Sequence, residues 1–392
     1  MPILTPREHN IHSSGYQLSR TVVANRGIHS NGYTFLSNGT TDISQTTRRK
    51  YLITTNCYGI QVLYGNFTGE SATQVDPITI TAGFDDGTTI CPIFFNGKRA
   101  ITIDAGGYAL SDPLPKYWTK GDTLWVRSCV TVTEGLKWPK NVLTYSGYSG
   151  ENILDNQDAT LSAISAFNGT SQTWCFGSLI LYGTSTNQTP CIGLLGDSIQ
   201  QSGAGSDINL YGLGMRALGT DFGKDYCNLL LAQSGDQAQS FMTNNKVRSL
   251  FVPACTSVLS NYGLNETYSG ANYTLGTLQT QLTSFWTWLT NQNIKVWQTT
   301  ISPYTTSTDN WATTGNQTIF NSDRNTVRTQ LNDWIRTTPS PLSGYFEVAD
   351  TVETSRNSGI WKAAPALTGD GIHPNVSGFN LMKVAIDPTK FI

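Results

Sequence analysis

Histidine is scarce in this chain of 392 residues: His9, His12, His29 and His373 are all there are. The first three lie in a polar N-terminal stretch. His373 stands apart in Thr368-Gly-Asp-Gly-Ile-His-Pro-Asn375, on a glycine-flanked loop just ahead of a helical pattern. Asp370 precedes it by three residues. On such a loop a carboxylate reaches the imidazole Nδ1, fixes the tautomer and stabilises the imidazolium formed when Nε2 takes a proton. A lone histidine is more often structural than catalytic, so the reading depends on a nucleophile. Ser198 supplies one. It follows the apolar run Cys191–Leu195 in the turn Gly196-Asp197-Ser198, at the carboxyl end of the first strand of an α/β pattern, where open α/β sheets bind ligands. Gly196 permits the tight turn, and the backbone N–H groups that follow face any developing anion. Gly, Asp and Ser all favour turns, so the tripeptide gains weight only from its place after a strand. Asp197 reads as support for the turn.

Positioning these residues takes two kinds of structure. Tyr51–Thr55, Gly59–Phe67, Ile78–Phe84, Ile90–Phe95, Ala100–Asp104 and Asp122–Val132 read as short strands, and Asp86-Gly87 and Asn96-Gly97 suit type I′ hairpin turns between them. No helical period appears before about residue 155. The first part is therefore expected to be an antiparallel β-sandwich, jelly-roll-like, over residues 51–185. Residues 1–50, polar and ending in Arg48-Arg49-Lys50, read as an extended arm. After Pro190 the texture changes. Cys191–Leu195, Leu229–Ala232, Val258–Ser260, Ile294–Ile301 and Tyr345–Ala349 alternate with helical spacing at Leu275–Gln292, Ile319–Arg336 and Val376–Ile386. That alternation predicts an α/β domain with a parallel sheet over residues 186–392. There is no internal repeat.

Composition narrows the classes. Lys and Arg number 25 against 27 Asp and Glu, a net charge of −2, and charged residues make up 13% where about 25% is typical. Without a basic excess nucleic acid is not an expected partner. No apolar run is long enough for a membrane span. The seven cysteines are scattered without metal-ligand spacing and read first as small buried residues, with disulfides as the alternative. No cofactor or metal is expected, and a homo-oligomer is left open. The N-terminus MPILTPREHN shows no secretory pattern, so an extracellular or virion-associated setting by another route is the expectation. Trp286, Trp288 and Trp334 fall on helical positions and read as core. Tyr304 and Trp311, in a polar loop, read either as loop packing or as sugar-stacking rings. Gly212-Leu-Gly214 lacks the third glycine of a dinucleotide fingerprint and reads as helix packing.

Four segments taken in order resemble the SGNH, or GDSL-like, hydrolases: Leu194-Leu-Gly-Asp-Ser-Ile199, Gln233-Ser-Gly-Asp-Gln237, Gly263-Leu-Asn-Glu266 and Asp370-Gly-Ile-His-Pro374. The match covers about half the chain, from residue 191 to the C-terminus. The resemblance implies a flavodoxin-like α/β/α domain with Ser198 as nucleophile, His373 as general base and Asp370 orienting it. It implies an oxyanion hole made of the Ser198 and Gly235 backbone N–H groups and the Asn265 side chain. Glu266 departs from the pattern, which has Asp there. Asn265 also begins an Asn-Glu-Thr sequon, and a glycan on it would block that hole. No Gly-x-Ser-x-Gly elbow occurs, which disfavours the α/β-hydrolase type.

The expected function is a serine esterase that removes O-acetyl groups from a polysaccharide or oligosaccharide through an acyl-enzyme, with a phage tail-associated capsule deacetylase as one form of it. The alternative is a non-catalytic glycan- or receptor-binding protein of a virion or cell surface on a hydrolase-like fold. A lipase or thioesterase ranks lower, because no long apolar lid is evident.

Overall fold

The computed structural model describes residues 11–13, 16–29, 34–36, 42–68, 75–144, 150–167, 174–185, 187, 189–201, 212–219, 225–243, 247–269 and 273–392. They form two compact units. One is built from the chain up to Cys191 with the returns Lys224–Leu229 and Lys246–Ala254; the other takes Ile192–Gly223, Leu230–Asn245 and Cys255–Ile392.

Two antiparallel sheets make up most of the first unit. In one, Ile11–Ser13, Tyr16–Val22, Ile180–Ser185, Cys57–Gly65 and Tyr108–Leu110 lie in that order, with Tyr117–Trp118 also on Cys57–Gly65. In the other the order is Asn152–Asp155, Ser44–Leu52, Thr123–Thr131, Ile78–Asp85 and Ile90–Ile93, with Ala100–Ile103 also on Ile78–Asp85. Val62 and Tyr64 of the first sheet share one apolar core with Ile80 and Val126 of the second, together with Trp118 and Trp138.

The arm expected over residues 1–50 is not an arm in its described part. Ser44–Leu52 is a nine-residue strand paired along its whole length with Thr123–Thr131, and Val22, Val23 and Ala24 are buried. The polar triplet misleads because its charges are neutralised inside. Arg48 Nη2 meets Asp85 Oδ1 at 2.7 Å, Arg127 Nε meets Asp85 Oδ2 at 2.7 Å, and Arg48 lies 3.7 Å over the Trp125 ring. Arg49 donates to Tyr51 Oη at 2.7 Å, and Arg26 pairs with Glu151. Buried charges persist only when paired and hydrogen-bonded in this way.

Of the two expected hairpin turns, Asn96-Gly97 has positive φ at both residues, 50° and 74°, as a type I′ turn requires. Asp86-Gly87 differs. Only Gly87 is left-handed, and Asp86 Oδ1 instead accepts from the Thr88 and Thr89 N–H groups at 3.1 and 2.9 Å. All seven cysteines are free and six are buried.

In the second unit, parallel strands run in the order Gly344–Phe346, Lys295–Thr299, Ser257–Ser260 and Cys191–Leu195. Helices lie between them in sequence. Thr274 caps Leu275–Thr290, which buries Leu278, Leu282, Phe285, Trp286 and Leu289, one stripe of a 3.6-residue period. The helix expected from Ile319 begins at Ser322, because Gln317–Ile319 pairs with Thr305–Ser307 as a hairpin and Asn321 supplies the cap. Trp286 is buried and stacks on Trp334 at 5.2 Å; Trp334 and Trp288 are half-buried. Among the described residues no helix is long and apolar enough to cross a membrane.

Candidate functional site

Cys191–Leu195 pairs with Ser257–Ser260 on one side, while on the other Leu231 N–H donates to Leu194 O at 2.9 Å. The chain thus leaves this strand in both directions, and the turn that follows it lies at a switch point of the sheet. Ser198 opens the short helix Ser198–Gln201 there. Gly196 has φ 149°, and a Cβ on it would stand 1.5 Å from Asn261 Oδ1, so only glycine fits. That close approach brings Asn261 onto the turn. Its Oδ1 accepts from Asp197 N–H at 3.2 Å and its Nδ2 donates to Asp197 Oδ1 at 2.8 Å, while the same carboxylate oxygen accepts from Ile199 N–H at 2.9 Å. Asp197 Oδ2 is buried without a hydrogen-bond partner. Burial pushes the Asp197 pKa up to about 6, against the pull of Asn261 and the Ile199 N–H. Asp197 therefore supports the turn.

His373 is brought to Ser198 from 175 residues away. Its Nε2 lies 2.7 Å from Ser198 Oγ and its Nδ1 2.7 Å from Asp370 Oδ2. With the proton on Nδ1, the ring donates to Asp370 and accepts from the serine hydroxyl. Asp370 Oδ1 accepts from the Ile372 and His373 N–H groups at 2.9 and 2.8 Å. Partial burial pushes the Asp370 pKa up, but the His373 ring and these N–H groups outweigh it and hold the carboxyl at about 2. The loop is braced from behind. Gly371 has φ 82°, and a Cβ on it would meet Thr305 O at 1.8 Å and Trp311 Cζ2 at 2.8 Å. Its carbonyl accepts from Trp361 Nε1 at 3.0 Å and Thr305 N–H at 3.1 Å. Trp311 is buried and donates from Nε1 to Thr305 Oγ1 at 2.8 Å. Of the two readings open for Trp311, packing holds: it is a wall behind the histidine loop. Tyr304 stacks on Phe320 with ring centroids 4.1 Å apart.

Gly235 and Asn265 sit on two laced loops. Gln233 N–H donates to Gly196 O at 3.0 Å and Ser234 N–H to Gln201 Oε1 at 2.8 Å, fixing the Gly235 loop on either side of the nucleophile turn. Asn265 Nδ2 donates to Asp236 O at 3.1 Å, Gln237 Nε2 to Asn265 O at 3.2 Å, and Tyr262 Oη to Asp236 Oδ2 at 2.8 Å. Glu266, only 4% exposed, closes the lacing: Oε1 accepts from Ala238 N–H at 2.7 Å and Oε2 from Gly263 N–H at 2.8 Å. Its burial pushes the carboxyl pKa up to about 7, with Ala238 N–H opposing and the charge of Asp197 adding to the rise. Asn375, which also begins a sequon, Asn-Val-Ser, caps its helix by accepting from Gly378 N–H at 3.0 Å.

Sequence reasoning missed Asn261, the Glu266 clasp and the Trp311–Trp361 wall. Asn261 directly follows a strand, one signal available beforehand; the others depend on burial, which residue type does not reveal. Among the described residues no group of three or more His, Cys, Asp or Glu could hold a metal ion. The arrangement can activate a serine hydroxyl and move a proton between it and a histidine.

No protein-family model matches the chain, and no curated protein matches it. Solved structures do. A putative acylhydrolase from Bacteroides fragilis is 19% identical over 53% of this chain and 88% of its own, with a TM-score of 0.36. A GDSL-like lipase from Bacteroides thetaiotaomicron is 16% identical over 51% and 87%, at 0.36. An acetylxylan esterase from Geobacillus stearothermophilus is 15% identical over 50% and 91%, at 0.34. At these identities and scores they are likenesses only, each over about half of this chain.

Proposed function

We propose that the chain is a serine esterase that removes O-acetyl groups from a polysaccharide or oligosaccharide. The observation that carries this reading is the unbroken chain from Ser198 Oγ through His373 to Asp370, with 2.7 Å at each step. These three act as a catalytic triad. His373 Nε2 takes the proton as Ser198 Oγ attacks the ester carbonyl carbon, and Asp370 stabilises the imidazolium. The negative charge on the carbonyl oxygen is met by the Ser198 and Gly235 N–H groups and by the Asn265 amide, whose second N–H is left over after the bond to Asp236 O. Collapse breaks the ester C–O bond, and His373 returns its proton to the departing sugar oxygen. Water, deprotonated by His373, then attacks the acetyl-serine and releases acetate.

The carbohydrate assignment is supported by the charge-poor, hydroxyl- and amide-rich composition. The two antiparallel sheets of the first unit, read as a jelly-roll-like sandwich, and the second unit, read as a flavodoxin-like α/β/α domain, fit an extracellular or virion-associated capsule deacetylase. A fluorophosphonate probe tests the chemistry. Wild type should be labelled and Ser198→Ala should not. An unlabelled wild type, or equal labelling of the variant, removes the esterase reading. Acetate release from acetylated polysaccharides, set against hydrolysis of long-chain esters, tests the substrate class; preference for the long chain reverses it.

A further inference from the structure

One face of an antiparallel sheet in the first unit carries a row of side chains that the proposed chemistry does not use. Where Tyr117–Trp118 pairs with Cys57–Gly65, Trp118 stands opposite Cys57 and Tyr117 opposite Tyr58. Cys57 and Trp118 belong to the core. Tyr58 and Tyr117 point the other way and are 45% and 61% exposed. Residues directly opposed on neighbouring strands have their Cβ atoms about 5 Å apart, so both rings rise from the same face. The row continues across the sheet: Thr184 stands opposite Tyr58, and Arg20 opposite Thr184. Four strands at about 4.8 Å spacing give the line from Tyr117 to Arg20 a length of roughly 14 Å, the reach of a short oligosaccharide.

Arg20 ends the row unsatisfied. Its guanidinium lies 4.9 Å over the Tyr182 ring, and its Nε is buried with no hydrogen-bond partner. Arg26, Arg48, Arg127, Arg328 and Arg336 each meet a carboxylate within 3.0 Å; among the described residues none pairs with Arg20. Burial pushes its pKa down and the Tyr182 ring opposes this. A partly desolvated cation without an acceptor is costly, and an arriving carboxylate, gripped by two parallel N–H groups, relieves that cost.

We propose that the row Tyr117–Tyr58–Thr184–Arg20 is a binding site for an acidic oligosaccharide, with sugar rings on the two tyrosines and a uronic-acid carboxylate on Arg20. A pyranose has an apolar face and a hydroxylated edge, which suits exposed aromatic rings beside a threonine hydroxyl. A purely apolar partner would desolvate the rest of the Arg20 guanidinium without giving it an acceptor. A nucleic acid would call for a basic excess that a chain of net charge −2 lacks. This site needs no turnover and does not rest on the esterase reading.

Affinity electrophoresis of the full chain tests it, in gels holding polygalacturonate or neutral dextran. Polygalacturonate should retard the wild type and dextran should not. Arg20→Gln and Tyr117→Ala should each weaken retardation about tenfold, equivalent to about 1.4 kcal/mol. Arg20→Lys, which keeps the charge but not the fork, should fall between. Tyr117 is exposed, so its variant keeps the test valid should Arg20→Gln not fold, as judged by circular dichroism. Absent retardation, equal retardation in dextran, or folded variants that migrate like wild type would each overturn the proposal.

Discussion

Replacing Glu266 by glutamine tests whether two buried carboxyls beneath the nucleophile set the pH dependence of folding. Glu266 rises from an ordinary 4.5 to about 7 and Asp197 from 3.8 to about 6, in both cases chiefly through burial. A group whose pKa is raised in the folded state contributes stability below its unfolded pKa. That contribution is lost as pH rises through the folded value. At about 1.4 kcal/mol per pH unit, each is worth about 3 kcal/mol, and because each charge raises the other the pair is worth somewhat less than the sum. The window is clear of opposing carboxylates. Asp370, Asp158 and Glu347 are shifted down, so their contributions are lost only as pH falls below about 4. Glu353, shifted up, acts in the same direction as Glu266. Wild-type stability should therefore decline between pH 4.5 and 7.5. Glutamine removes the charge but turns an NH2 toward one of the two backbone N–H donors that Glu266 accepts from, so Glu266→Gln should be weaker than wild type by about 1–3 kcal/mol at pH 4.5. Between pH 4.5 and 7.5 it should gain about 3 kcal/mol on wild type, because it has no carboxyl to ionise at that position. Urea unfolding at six pH values reads this directly. Parallel pH profiles for wild type and variant would refute the burial argument.

Three further outcomes follow from the geometry. Asp370→Asn leaves the loop in place but removes the charge facing the imidazolium, so kcat should fall roughly 10³–10⁴-fold with little change in KM, measured on an activated acetyl ester. Asn265→Ala removes one donor from the developing oxyanion and should lower kcat about 10²–10³-fold; the melting temperature checks that the loop survives loss of the bond to Asp236 O. Arg328→Met strips the partner from Glu353, both side chains being fully buried and 2.5 Å apart. It should cost about 3–5 kcal/mol in urea unfolding, and a loss under 1 kcal/mol would mean that Glu353 does not need the pair.

Much of the chemistry was legible in the sequence because it is local. Asp370 and His373 meet within one loop, Asn96-Gly97 turns by its own backbone preference, and the stripe from Leu278 to Leu289 follows from helical period alone. The α/β order of the second unit was likewise written in alternating runs. Tertiary structure decided the rest, since residue type shows polarity but not burial. Arg48 and Arg49 read as the end of an exposed arm until Asp85, Trp125 and Tyr51 close around them. Trp311 could have faced a sugar or a loop; its bond to Thr305 and contact with Gly371 put it behind the histidine. Glu266 looked like a departure from a motif, and the fold made it the clasp between two loops. Above all, the 2.7 Å between Ser198 and His373 depends on the strand at Cys191–Leu195 and the loop at Asp370 meeting across 175 residues. No local preference encodes that meeting; only the packing of the parallel sheet and its helices does.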